Sequence, residues 1–219
     1  MNQALGHWQP AGTVYGGLLT FSREWDLWAP RMQDKPYLAP PRAPVLYIKS
    51  ANTFSPAGQS LRLEDGLTEV ALCATLGLVM GEEGQVQALA LLADWMVPHA
   101  SYFRPAVRWR CRDGFLGLPA QATPVAHLGD WSALSWQVWR NDELVQTSSL
   151  AQLREPLSKR LADLQAFMPL QPGEVLMVGS DCLPDGTRPL FGPGDRVRIS
   201  APGLVSVELG IEPAKEGMA

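Results

Sequence analysis

The chain has 219 residues, 46% hydrophobic and 18% charged, with a formal charge of -4. That balance provides ample core and excludes the net basic face that nucleic-acid and anionic-membrane partners select. No apolar run reaches the roughly 20 residues of a membrane span, and the opening MNQALGHWQPAG lacks the basic-then-apolar order of a signal peptide, so a cytoplasmic protein is expected.

Thr13–Thr20 (TVYGGLLT) is rich in β-formers and reads as a first strand. Trp25–Pro41 is aromatic and interrupted by proline, a loop or short helix that leads into the strand Val45–Lys49 (VLYIK). Asn52–Gly66 carries turn residues. Leu72–Met80 (LCATLGLVM) is continuously apolar, as a strand buried on both faces should be. Val86–Ala93 (VQALALLA) fits a short helix or a strand.

Asp94–Phe115 concentrates four arginines, Arg104, Arg108, Arg110 and Arg112, among Tyr102, Phe103 and Trp109. Pro98 and Pro105 oppose a helix here, so an extended segment is expected. Its arginines either pair with the surplus acids on a solvated strand or offer guanidinium forks to a small dianion or trianion.

Ser135–Val145 alternates about a turn at Asn141–Asp142. The leucines at 150, 153, 157, 161 and 164 then predict a helix over about Ser149–Phe167. Leu170–Val178 reads as a turn and a strand, Gly179–Gly194 as a long loop, and Asp195–Ser200 and Val205–Gly210 as closing strands. The 19 prolines and 20 glycines punctuate many short elements, which implies a mixed, β-rich α+β fold built as an irregular barrel or roll with few helices.

The generic motifs for phosphate binding, nucleophilic serine and zinc are missing from the sequence. His7, His99 and His127 are scattered and read as surface or loop residues. Cys73, Cys111 and Cys182 are odd in number and widely spaced, so they read as free thiols, with Cys73 inert on its buried strand.

GTVYGGLL, APPRAPVLYIKSANT, LCATLGLVMG, LLADWMVPHASYFRPAVRWRCRDGF, LQPGEVLMVGSD and GPGDRVRI occur in one order. Together they resemble the fumarylacetoacetate hydrolase family over about residues 12–210. The form SYFRPA…RCRDGF resembles the branch that isomerises and decarboxylates intermediates of homoprotocatechuate (4-hydroxyphenylacetate) breakdown. The resemblance implies one β-roll domain over residues 1–219, with flexible tails at 1–11 and 211–219. It also implies a small 2-oxo or enol di- or tricarboxylate substrate, a divalent metal (usually Mg²⁺), and a homodimer or a heterodimer with a sister subunit.

A hard cation chelated by a 2-oxo acid stabilises the enolate formed on decarboxylation or proton shift. The resemblance places the metal ligands at Cys73, Thr75 and Asp94, where the family carries Glu, Glu and Asp. One carboxylate out of three predicts weak or no Mg²⁺ binding. Arg110 stands at the active-site lysine position as the candidate catalytic residue, keeping the charge without the capacity to shuttle a proton. Lys49, Tyr102, Arg104 and Ser180 are the candidate substrate contacts, with Lys49 equally readable as a structural ion pair and Arg104 as a contact that shapes a subunit interface; Asp113 and Phe115 also match the pattern. Pro119 stands where glycine is usual, Gly179-Ser180-Asp181 replaces Gly-Thr-Pro and adds an anion, and Glu24 stands where the lid histidine is expected. The expectation is therefore a subunit of the isomerase/decarboxylase, or a non-catalytic scaffold or regulatory partner of a metal-complete sister.

Overall fold

The computed structural model describes residues 7–99 and 107–215. In chain order come β1 (Val14–Leu18), α1 (Ser22–Trp28), β2 (Val45–Lys49), β3 (Phe54–Ser55), β4 (Leu61–Arg62), β5 (Val70–Met80) and β6 (Val86–Met96). Then follow α2 (Val107–Arg110), β7 (Leu116–Gly117), β8 (Thr123–Pro124), β9 (Ser135–Arg140) and β10 (Glu143–Ser149). The chain ends through α3 (Leu157–Gln165), β11 (Val175–Met177), β12 (Leu190–Phe191), β13 (Arg196–Ser200) and β14 (Val207–Glu212).

Among the described residues these strands form a nine-stranded and a five-stranded sheet. The first has the path β2-β1-β11-β5-β6-β7-β3, with β12 on β5 and β8 on β6; the second has the path β10-β9-β13-β14-β4. The β-rich fold with few helices follows the sequence expectation.

The antiparallel pair β5–β6 is the spine, because its apolar run is buried along both faces. Side chains alternate along a strand. One face sends Leu72, Ala74, Leu76 and Leu78, with Leu89, Leu91 and Trp95, into the main core beside Phe21, Trp136 and Ile199. Phe21 meets Trp136 edge-on at 6.2 Å, and the Trp136 indole N–H donates to the Ala74 carbonyl at 3.3 Å, tying the second sheet to the spine. Burying each such side chain stabilises the fold by about 1.5–3 kcal/mol. The opposite face carries Cys73, Thr75 and Asp94, and it positions the site.

Two local expectations change and an open one is resolved. The helix expected over Ser149–Phe167 divides in two. Ser149 and Gln152 form a capping box over a 3-10 turn at Leu150–Gln152, and Pro156, which has no N–H, delays α3 to Leu157. Val86–Ala93, expected as a helix or a strand, is strand, because its run pairs with β5 apart from an irregularity at Gln87. Among the described residues of the arginine segment, Arg108 and Arg110 lie on the single helical turn α2 and not on an extended strand; residues 100–106, with Arg104, are outside the described residues. Arg108 is exposed against Trp109, Arg112 pairs with Glu64, and Arg110 turns inward.

Residues at both ends join the fold. Ile211 pairs with Leu61, and the backbone N–H groups of Trp8 and Ala11 donate to Ala120 and Gly173.

Candidate functional site

The β5–β6 register sets Cys73 opposite Asp94 and Thr75 opposite Leu92. β2 brings Tyr47 and Lys49 over that face two residues apart, hence on one side of the strand. Tyr47 crosses its β1 partner Gly16, where a Cβ would stand 2.1 Å from the phenol ring. Only glycine leaves room for the ring to lie there and for its hydroxyl to reach Asp94.

Asp94 is saturated. Its Oδ2 accepts from the Tyr47 hydroxyl and from Arg110 Nη1 at 2.6 Å. Its Oδ1 meets Lys49 Nζ at 2.9 Å, as an ion pair without hydrogen-bond alignment. Lys49 Nζ also donates to the carbonyls of Phe115 (2.8 Å), Arg110 and Trp95 (3.4 Å), which exhausts an ammonium group. Arg110 donates through Nη2 to Cys73 Sγ at 3.5 Å and lies 4.6 Å over the Tyr47 ring.

Asp94, Lys49 and Arg110 are 0%, 1% and 2% exposed. Burial, and then the Asp94 charge, pushes the Tyr47 hydroxyl well above its ordinary 10.0, so it stays a donor. Burial pulls Lys49 below 10.5 while Asp94 opposes the shift.

These residues do not fit a hard divalent cation. The single carboxylate already balances two fixed cations, Cys73 is a soft thiol covered by a guanidinium, and Thr75 offers one neutral hydroxyl. Among the described residues no group of three His, Cys, Asp or Glu side chains is set to hold a metal.

A second charged cluster lies on α1 and the loop after β11. Buried Glu24 accepts from the Leu19 N–H at 3.0 Å and from Arg188, whose Nη2 also donates to the Ser180 carbonyl at 3.3 Å. Asp181 accepts from the Cys182 N–H at 2.9 Å and pairs with Arg23 at 3.5 Å. Burial raises its pKa despite those contacts. Asp181, expected to face an incoming anion, is thus enclosed with its own partners. Glu24, at the expected lid position, braces Arg188 from within the fold.

Arg188 opens onto a cleft of about 360 Å³ that Trp28, Arg31 and His99 also line. Its floor includes Ala71 and Met96, which pack together with Cys73. Asp94, Lys49 and Arg110 do not line this cleft, so an apolar cap separates it from the buried cluster.

The fold brings Lys49, Arg110, Asp94 and Cys73 together, with Thr75 on the same face. Lys49 and Arg110 are turned inward to Asp94, and Ser180 lies beside Arg188. Tyr102 and Arg104 lie outside the described residues. Asp113 accepts from Asn52 at 2.7 Å on the surface, and Phe115 contributes its carbonyl to Lys49. Tyr47, Arg31 and Arg188 went unnoticed in the sequence. The alternation of VLYIK pairs Tyr47 with Lys49 and was a usable signal; the loop around Arg188 carried none.

The family model described as fumarylacetoacetate (FAA) hydrolase C-terminal matches residues 14–212. The 4-hydroxyphenylacetate degradation bifunctional isomerase/decarboxylase of Salmonella dublin is 30% identical over 207 residues, covering 90% of this chain and 46% of that protein. The homoprotocatechuate catabolism bifunctional isomerase/decarboxylase of Escherichia coli is 28% identical over 212 residues, with the same shares. The chain therefore spans less than half the length of these relatives. Among solved structures, fumarylpyruvate hydrolase from Pseudomonas aeruginosa, in complex with Mn²⁺ and pyruvate, superposes with a TM-score of 0.74 at 18% identity, over 92% of this chain and 90% of that one. With a family match over nearly its whole length and the same fold in solved relatives, the chain belongs to the fumarylacetoacetate hydrolase family.

Proposed function

We propose that this chain is one half of an isomerase/decarboxylase of 4-hydroxyphenylacetate (homoprotocatechuate) catabolism. In this reading the metal-dependent steps belong to a metal-complete sister half. Those steps are decarboxylation of 5-oxopent-3-ene-1,2,5-tricarboxylate and isomerisation of 2-hydroxyhepta-2,4-diene-1,7-dioate.

The observation that carries the reading is the saturation of Asp94 by Lys49 and Arg110 beneath an apolar cap. Both reactions build negative charge on an enolate oxygen, and stabilising that charge requires a cation facing the substrate. Here the two cations beside the metal-ligand positions are committed to a buried carboxylate. The relatives, about twice as long, supply the pathway and the idea of a second half.

A second reading places chemistry in this chain's own cleft, where Arg31 and Arg188 offer positive charge to a carboxylate. One experiment separates the two. The chain is purified alone and together with a sister half that carries Glu-x-Glu and Asp, and each sample is assayed for both reactions across a Mg²⁺ titration. Activity only in the pair supports the first reading. Turnover by the isolated chain overturns it, and Mg²⁺ stimulation of that turnover would also overturn the metal-free assignment of the Asp94 cluster.

A further inference from the structure

A second cleft, of about 340 Å³, opens where the β1–β2 pair ends, between the loop into β2 and the segment that leads into α3. That volume lies at the small end of ligand-sized clefts, about 300–1,000 Å³. Arg42, Arg154, Lys159 and Arg160 face it, against two carboxylates, Glu155 and Asp163. In a chain with a formal charge of -4 this is a local excess of positive charge.

The carboxylates are largely spent. Lys159 Nζ pairs with Asp163 and lies 3.7 Å from Glu155. Among the described residues no carboxylate lies within ion-pair distance of Arg42, Arg154 or Arg160.

Two of these arginines are held in place. The Arg154 guanidinium lies 3.6 Å over the Trp25 ring, and its backbone N–H donates to the Thr20 carbonyl at 2.9 Å. Arg160 is partly buried against β1, where a Cβ on Gly17 would stand 3.0 Å from its Nη2, and no protein group accepts a hydrogen bond from its guanidinium among the described residues. Partial burial disfavours its charge and pulls its pKa below the usual arginine value, with the nearby Glu155 and Asp163 charges opposing the shift. A bound anion would offset that cost and supply the missing acceptors.

We propose that this cleft binds a small anion carrying two or three negative charges on carboxylate or phosphate oxygens, gripped by Arg160 and Arg154 with Arg42 closing over it. The site is separate from the cleft that Arg188 lines and does not depend on which half of the assembly performs catalysis.

The test is calorimetric titration of the full chain with tricarballylate, pyrophosphate and acetate at low and high salt, with the Trp25 indole followed by NMR. The expected result is saturable one-to-one binding of the multivalent anions, weakening with salt, and a shift of the Trp25 signal. Arg160→Gln should weaken binding by about tenfold or more. The exposed changes Arg42→Glu and Arg154→Gln should also weaken it and keep the test valid if Arg160→Gln fails to fold. Preference for tricarballylate assigns a carboxylate ligand and preference for pyrophosphate a phosphate; both support the site. No saturable binding overturns the proposal, as does binding that survives the three changes but is lost in Arg31→Gln, which would place it in the other cleft.

Discussion

Two groups of basic side chains in this protein have opposite fates. Around Asp94, Lys49 and Arg110 are enclosed, and both bond to one carboxylate. At the start of α3, Arg42, Arg154 and Arg160 border an open cleft whose carboxylates are engaged with Lys159. The residue types are alike; what differs is whether an anion lies within reach in the same dry place. A buried cation with a fixed carboxylate becomes part of the framework, because separating the pair would leave a charge in low dielectric. A cation without one keeps its hydrogen-bonding capacity for something that arrives from solution.

The largest effect should come from taking away the anion. Asp94→Asn leaves Lys49 and Arg110 buried side by side and should cost about 3–5 kcal/mol in urea unfolding at neutral pH. A loss below about 1 kcal/mol would mean that the two cations find water, and the contrast with the open cleft would fail.

Gly16→Ala forces the Tyr47 ring away from Asp94 and should cost about 1–3 kcal/mol by the same assay. If Tyr47→Phe abolishes most of that cost, the hydroxyl contact matters more than the ring's position.

Metal affinity sharpens the comparison further. Restoring carboxylates with Cys73→Glu and Thr75→Glu should produce no Mg²⁺ binding while Arg110 remains, because the guanidinium would pair with the new side chain. Adding Arg110→Met should produce measurable binding by calorimetry. Equal binding with and without Arg110 would contradict its role as the resident cation.

The smallest effect concerns Asp181. Burial raises its folded pKa above the ordinary 3.8. Between those two values the folded state holds the proton more tightly than the unfolded state, so this residue's contribution to stability is lost as pH rises through that window. Asp181→Asn should remove that part of the pH slope, as read from urea midpoints over the acid range. An unchanged slope would mean that Arg23 and the Cys182 N–H fully offset the burial.

Much of the frame was legible. The unbroken apolar run Leu72–Met80 read as one strand of the spine, while the run after Gly81 stayed open between helix and strand; Asn141–Asp142 marked the hairpin, where both residues take positive φ (51° and 68°). The helix over 149–167 was overextended because leucine periodicity continues through a 3-10 turn while Pro156 sets the start of α3. The arginine segment misled for a related reason. Spacing alone cannot say that Arg108 faces water while Arg110, two residues on, is pulled inward by Asp94.

The sequence by itself determined the family and the β-rich architecture, and it shows one carboxylate among Cys73, Thr75 and Asp94, where the resemblance puts the metal ligands, because these follow from motif order, hydrophobic pattern and residue type. Only the tertiary structure decided how each charge is used. Lys49, Arg110 and Asp94 are separated by 45 residues or more at one junction and 16 at the other, as their numbers show, and the strand register closes them into one cluster. The same folding leaves Arg160 against β1 without a protein acceptor among the described residues. Whether a charge is spent or available depends on three-dimensional distance and on the dielectric around it, and neither is written in the local order of residues.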